Sequence, residues 1–251
     1  MAASIPRYDL DWPKRRVSRM SNALDRLMPP QMKNDGFYRA ILKVAATPGV
    51  KTILEIGASS GQGSTEALVT GALRNPGGYP AICSIEVSEV RMGSFLDTWK
   101  GYPFVRGFNT SSVPSSSFPT ADEVALFYRS VRSKLRNVRL EKVLGWLRQD
   151  LEYLAAHPDL DRHGIRQIKT ETGITLFDAV LIDGSEFTGK VEMDEVHGAG
   201  FLMLDDTRSY KNWDNLARLA TDPVYRLVKK SRWTRNGWAV FEHRDRAPIA
   251  A

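Results

Sequence analysis

Four carboxylates stand at the ends of apolar runs in this 251-residue chain. Ala81-Ile-Cys-Ser-Ile85 ends in Glu86, Phe177-Asp-Ala-Val-Leu-Ile-Asp-Gly184 closes with Asp183 and a glycine, and Gly200-Phe-Leu-Met-Leu-Asp-Asp206 closes with Asp205 and Asp206. Short apolar runs bounded by turn residues read as buried strands of a parallel sheet. In an open α/β sheet, ligands sit in the crevice at the carboxyl ends of the strands. The four acids are therefore expected to converge on one crevice. Carboxylates gathered there repel one another and need a cation or a shared proton at neutral pH. Asp183, Asp205 and Asp206 offer hard oxygen donors on rigid strand ends, a set suited to Mg²⁺ with waters and substrate oxygens completing its octahedron.

A fourth run supplies the ligand-facing turn. Thr52-Ile-Leu-Glu-Ile-Gly-Ala-Ser-Ser-Gly-Gln-Gly63 breaks from apolar residues into three glycines and then turns helical, which is how a nucleotide-binding α/β unit begins. Gly57, Gly61 and Gly63 give G-x-x-x-G-x-G, whereas the dinucleotide fingerprint needs G-x-G-x-x-G; position 59 is Ser. Glu86 follows Gly63 by 23 residues, a spacing at which an acid on the second strand accepts hydrogen bonds from ribose hydroxyls.

With Glu55 two residues before the first glycine, this pattern resembles motif I of the class I S-adenosylmethionine-dependent methyltransferases. The resemblance implies a Rossmann-like α/β fold: a seven-stranded, mostly parallel sheet with an antiparallel last strand and helices on both faces. It implies S-adenosylmethionine as cofactor, held by Glu55, Gly57, Ala58, Ser59, Gly61, Gly63, Ser64, Glu86, Ser111 and Asp183. Ser111, with Thr110 and Ser112, falls where related enzymes bind adenine, and the helix after the glycines would meet the methionine carboxylate.

Asp183 with Asp205-Asp206 resembles the metal site of the metal-dependent O-methyltransferases, the group that includes the catechol and macrolide-sugar enzymes. There an acid after strand 4 and a pair after strand 5 hold Mg²⁺ against the acceptor hydroxyls. Asp183 would then be catalytic as well as metal-binding. This chain departs at one point: catechol-type enzymes carry a lysine base three residues after the strand-4 Asp, and here that residue is Glu186. The base is Lys190 or His197, the nearest in sequence with Lys190 ranked first, or Glu186, or the metal alone activates the hydroxyl.

The intervening elements must position these groups. Residues 1–36 read as a polar leader with one helical patch, Ser18 to Leu27, ending at Pro29-Pro30. Residues 37–251 read as the methyltransferase domain. Phe37 to Ala46 carries apolar residues at helical spacing, and Ser64 to Leu73 follows the glycine turn as a helix. Phe104 to Phe108 is the third strand, followed by a serine-rich loop. Thr120-Ala-Asp-Glu123 is a capping box opening a helical insertion at about 120–176, with two helices or one broken helix to about Ala156. That insertion is expected to form a cap or a dimer surface, with Trp146 and Tyr153 as packing residues. Ile165 to Lys169 is open between a short helix and a strand. Ser185 to Ala199 and Asn212 to Ala220 are helical in pattern. Tyr225 to Lys230 and Trp238 to His243 form a last pair of strands around Asn236-Gly237, a hairpin signal, and Arg244 to Ala251 are expected to fray.

Composition fits a globular enzyme: 42% hydrophobic and 25% charged residues, ordinary values. One cysteine, Cys83, excludes an internal disulfide framework. No apolar run approaches the ~20 residues of a membrane span, no stretch of signal-peptide length is present, and a cytoplasmic setting is expected. The net charge of +6 gathers at Lys14 to Arg19, Arg129 to Lys142 and Lys229 to Arg235. Such patches attract acidic substrates, but no nucleic-acid module is recognisable. The expected partner is a small-molecule or glycan acceptor, an acidic one included, and a homo-oligomer is compatible. The competing reading is a nucleotide-binding protein of the same architecture that is noncatalytic or acts differently, an NAD-dependent oxidoreductase for example.

Overall fold

The computed structural model describes residues 23–27, 29 and 32–245. Strands β1 (Thr52–Ile56), β2 (Ala81–Glu86), β3 (Val105–Asn109), β4 (Ala179–Ile182), β5 (Phe201–Asp205), β6 (Tyr225–Ser231) and β7 (Trp238–His243) form one sheet in the order β3-β2-β1-β4-β5-β7-β6. Strands β1 to β5 run parallel, and β7 is antiparallel to both β5 and β6.

The apolar runs make a sheet buried on both sides because alternate residues feed two cores. Ile53, Ile82, Leu181 and Met203 pack on one face with helices α1 (Gly36–Ala45) and α2 (Ser64–Ala72). Leu54, Cys83, Val180, Ile182 and Leu204 pack on the other with α6 (Gly164–Thr172), α7 (Gly189–Val196) and α8 (Trp213–Thr221). Side chains of a strand alternate between faces, so the two clusters interleave residue by residue along each strand. Burial pushes the Cys83 thiol up to about 11, so it is a core residue and not a nucleophile.

The chain departs from the sequence reading in several places. Helix α3 (Glu89–Trp99), capped by the Ser88 hydroxyl on the Arg91 N–H, lies between β2 and β3 and was not anticipated. Its hydrophobic periodicity is weak, with only Met92 and Phe95 buried. The insertion holds three helices: α4 (Ala121–Ser130), α5 (Leu140–Ala156) and α6. The capping box at Thr120 and Glu123 is present with both bonds. Val131 is extended and Lys134–Asn137 forms a 3₁₀ turn, so the first helix ends well before Val138. Helix α7 starts at Gly189, because Ser185 to Thr188 turn above the strand ends. Asn236-Gly237 lies at the end of a six-residue connection between Ser231 and Trp238, not in a two-residue turn.

Of the leader, Ala23–Asp25 form a 3₁₀ turn, and Arg26 and Leu27 follow it outside any helix; residues 18–22 of the Ser18 to Leu27 patch, Pro30, the Lys14 to Arg19 cluster and residues 246–251 lie outside the described residues. Asp25 accepts from Ser88 Oγ (2.7 Å) and Tyr153 Oη (3.0 Å), which ties this end of the chain to α3 and α5. Among the described residues, no helix is long and apolar enough to cross a membrane.

Candidate functional site

The strand order reverses direction between β1 and β4, and there the crevice opens. Gly57, just after β1, has φ +89°, and a Cβ on it would lie 2.1 Å from the Asp183 carbonyl oxygen. Only glycine lets the two strand ends approach so closely. Gly57 N and Ala58 N both donate to Ile85 O, at 3.0 and 2.9 Å, so the turn is anchored to β2 as well.

Two clefts meet at this point. One, about 720 Å³ counted to its open mouth, is lined by Gly57, Glu86, Thr110, Ser111, Asp150, Tyr153, Asp183 and Ser185 among others. The second, about 780 Å³, is lined by Ala58, Ser59, Gln62, Ser64, Asp206, Lys211 and Arg235, and shares Gly57 and Asp183 with the first. The space enclosed within them is smaller, about 170 and 240 Å³.

Glu86 is 5% exposed and lines the first cleft. Its Oε2 accepts from Ser59 N and its Oε1 from Ser88 N, each at 2.8 Å. Each carboxylate oxygen has two acceptor sites, so both can take a further donor. Burial pushes the Glu86 carboxyl up, while the Ser88 N–H and the Arg91 charge oppose it. Ser111 lines the same cleft, but its hydroxyl donates to Val113 O (2.5 Å) and its N–H to Leu160 O (2.8 Å). Tyr153, expected to be packing, is buried and also walls the cleft.

Three of the ten residues expected to hold the cofactor line neither cleft. Glu55 is fully buried, its carboxylate accepting from Thr65 Oγ1 (2.8 Å) and Ser84 Oγ (2.7 Å). It braces the first turn of α2 against β2 and does not face a ligand. Gly61 packs under Trp99, whose indole N–H donates to Gly61 O at 3.0 Å, and a Cβ there would meet the ring at 2.4 Å. Gly63 (φ +125°) is the N-cap of α2.

Asp183, Asp205 and Asp206 do come together: one oxygen of each lies within 4.8 Å of the others. They are not alone. Lys211, 6% exposed, places its Nζ 2.9 Å from Asp183 Oδ1 and 3.0 Å from Asp206 Oδ2. Arg235 Nε lies 3.0 Å from each oxygen of Asp205, and its terminal nitrogen also contacts Oδ2. Asn236 donates to Asp206 Oδ1 at 3.0 Å. Burial together with the Asp205 and Asp206 charges pushes Asp183 up to about 8, against the pull of Lys211. Asp206 ends below the usual range because Lys211 and Asn236 outweigh its burial. Burial alone would lower the lysine; the surrounding carboxylates, Asp183 first, hold it well above its ordinary value.

The three carboxylates by themselves would suit a divalent ion. With Lys211 in contact with two of them, the residues present do not fit Mg²⁺, which needs a near-ideal octahedron at about 2.0–2.1 Å.

The residues expected to act as base divide. Lys190 is exposed on α7, lines neither cleft, and feels Glu123 of the insertion. Glu186 accepts from Lys211 N at 3.3 Å and props the lysine from behind. His197 pairs with Asp222 at 2.7 Å, at the far end of α7.

Two residues that line the clefts have no counterpart in the sequence reading. Asp150 of α5 reaches the first cleft and accepts from Ser185 Oγ at 2.6 Å; burial pushes its carboxyl up to about 6. The apolar periodicity of α5 runs through Val143, Leu147, Leu151 and Leu154 and carries no signal for Asp150. Lys211 sits six residues beyond Asp205 in an irregular loop. Asn212 carries it back: its Nδ2 donates to Ile182 O (3.1 Å) and Asp205 O (2.7 Å), pinning the loop to both strand ends. Gly189 permits this, since a Cβ there would lie 2.0 Å from Lys211 O.

The strand order and the antiparallel β7 complete the expected architecture. The fold is the Rossmann-like fold of the class I methyltransferases. No protein-family model matches the sequence and no curated protein does. Among solved structures, an O-methyltransferase from Bacillus cereus in complex with SAH shares 11% identity over 86% of this chain and 84% of that one, at a TM-score of 0.47. A methyltransferase from Geobacter sulfurreducens shares 8% over 84% and 80%, also at 0.47. The N-methyltransferase NodS from Bradyrhizobium japonicum shares 13% over 82% and 93%, at 0.41. At these scores the likenesses do not decide the activity, which the residues must carry.

Proposed function

We propose that the protein transfers a methyl group from S-adenosylmethionine to a hydroxyl of a small-molecule or sugar acceptor. The observation that carries this reading is the joint lining of one cleft, at the switch point of the sheet, by Gly57, Glu86 and Asp183. When bound, the cofactor supplies an electrophilic methyl on a sulfonium that is itself a good leaving group.

The protein's part is binding and positioning. Glu86, with acceptor capacity left on both oxygens, receives the two ribose hydroxyls. Ser64, the first residue of α2 and on the second cleft, offers the helix N-terminus to a carboxylate, with Ser59 of the preceding turn on the same cleft. Asp183 and Asp206 line the second cleft together with Lys211 and Arg235, whereas Glu86, Asp150 and Asp183 line the first with Arg91, so the acidic side chains that suit a cationic ligand are gathered in the first cleft. Asp150, on the wall of the cleft beside Ser185, is the proton acceptor for the hydroxyl. The insertion is a cap over the crevice, and the division into a leader, 1–36, and a domain, 37–251, belongs to the same proposal. So does the cytoplasmic setting.

Calorimetric titration of the full chain tests the reading. S-adenosylhomocysteine is expected to bind at micromolar affinity, weakened in Glu86→Gln, with no competition from NAD. Absence of binding would overturn it, and competition by NAD would redirect it to an oxidoreductase.

A further inference from the structure

We propose that the Lys211 ammonium is the resident cation of the strand-end carboxylates, occupying the place that the sequence resemblance gives to Mg²⁺, so that the native chain binds no metal there. The inference does not depend on the methyltransferase reading. It rests on what the lysine touches and on how its backbone is held.

Five of the six oxygens of Asp183, Asp205 and Asp206 are engaged by protein donors: two by Lys211, two by Arg235 and one by Asn236. A divalent ion bound by this trio would have to take oxygens away from Lys211 or Arg235 and then sit beside the charges it displaced. Lys211 is also no surface side chain that swings aside at little cost. Its ammonium is buried, its backbone N–H is bonded to Glu186, its carbonyl packs against Gly189, and the neighbouring Asn212 is tied to the ends of β4 and β5. Moving the ammonium out would leave buried carboxylates unpaired, the costly half of any buried ion pair.

The substitution of charges has a chemical consequence. An ammonium carries three N–H donors, and two are committed to Asp183 and Asp206. The third is left for a ligand oxygen in the cleft that Lys211 lines. A fixed ammonium donor there supports an oxygen electrostatically, as a metal would, without a coordination sphere to fill.

The test is Mn²⁺ binding, read by loss of the free-ion electron paramagnetic resonance signal, with Mg²⁺ calorimetry beside it. The full wild-type chain and Lys211→Met are compared, because methionine keeps the length of the side chain and removes the charge. The wild type is expected to bind no Mn²⁺ below about 1 mM, the weak end of protein sites for hard cations. Lys211→Met, shown folded by circular dichroism, is expected to bind one ion at least about tenfold tighter than that, and Lys211→Met with Asp206→Asn to lose it. One ion per wild-type chain, lost in Asp206→Asn alone, would overturn the proposal whatever the lysine variant does. So would a folded Lys211→Met that binds no ion at all, since no cation place would then have been vacated.

Discussion

Replacing Asp150 by asparagine should stabilise the fold, and only at a pH where the aspartate would be charged. The carboxyl is raised from 3.8 to about 6, chiefly by burial, with Ser185, Lys211 and Arg91 opposing. A group whose folded pKa is raised binds its proton more tightly in the native state. Its favourable contribution is therefore complete below about pH 4 and is lost as pH rises to about 6. Above that the full cost of the buried charge is carried. A shift of about two units is worth ~3 kcal/mol at 1.36 kcal/mol per unit. Water in the open cleft screens a part-enclosed group, so ~2 kcal/mol is the working figure. Asparagine keeps an acceptor for Ser185 Oγ and carries no charge. At pH 8 Asp150→Asn should melt about 4–8 °C above the wild type, taking 2–4 °C per kcal/mol for a chain of this size. At pH 4 the two should coincide. Differential scanning calorimetry at both values is the assay. A variant less stable by the same amount at both pH values would refute the reasoning and make Asp150 a structural partner of Ser185. The stabilised variant should also transfer methyl groups about 10²–10⁴-fold more slowly, the usual worth of a general base, because a charge kept at a cost to stability is there for chemistry.

Glu86→Gln should weaken S-adenosylhomocysteine by about 1–3 kcal/mol, the worth of hydrogen bonds to a charged acceptor; unchanged affinity in calorimetry would refute its ribose role. Gly57→Ala should cost more than about 2 kcal/mol in urea unfolding, since both φ +89° and the Asp183 carbonyl at 2.1 Å oppose a Cβ. Gly93→Ala, in α3 with open space around it, should gain up to about 1 kcal/mol, and equal outcomes for the two glycines would sink the argument. Lys190→Ala should leave both cofactor affinity and turnover within about twofold of wild type, as expected for an exposed residue away from the clefts; a large loss of turnover would restore it as the base.

The sheet was legible because its signals are local. The near-continuous apolar runs of β1, β2, β4 and β5 report directly on strands buried on both faces. Helix α3 was missed for the same reason turned around: with one face against the sheet edge and only two buried apolar residues, its pattern carried little information. The convergence of Asp183, Asp205 and Asp206 followed from topology alone, since strand ends of a parallel sheet share an edge. What topology does not give is the partner of each charge. Arg235 reaches Asp205 from the β6–β7 connection, and Lys211 reaches Asp183 and Asp206 from a loop whose path depends on Asn212.

Those two cations change what the acids mean. Three aspartates at strand ends, read alone, are electrically incomplete, and a divalent ion is the simplest completion. The fold supplies another, in which a lysine and an arginine neutralise two charges, while Glu86, Asp150 and Asp183 line the first cleft with Arg91. An excess of negative charge is the wrong surroundings for a second anion and the right ones for a sulfonium, whose charge disappears when its methyl leaves. Binding of the cationic cofactor should therefore exceed binding of its neutral-sulfur product, and the gap should shrink as pH falls and carboxyls such as Asp183, raised to about 8, take up protons. Comparing the affinities of S-adenosylmethionine and S-adenosylhomocysteine at pH 6 and pH 9 reads that gap directly. A preference for the product at both values would mean that the acids serve Lys211 and Arg235 alone, and not the ligand.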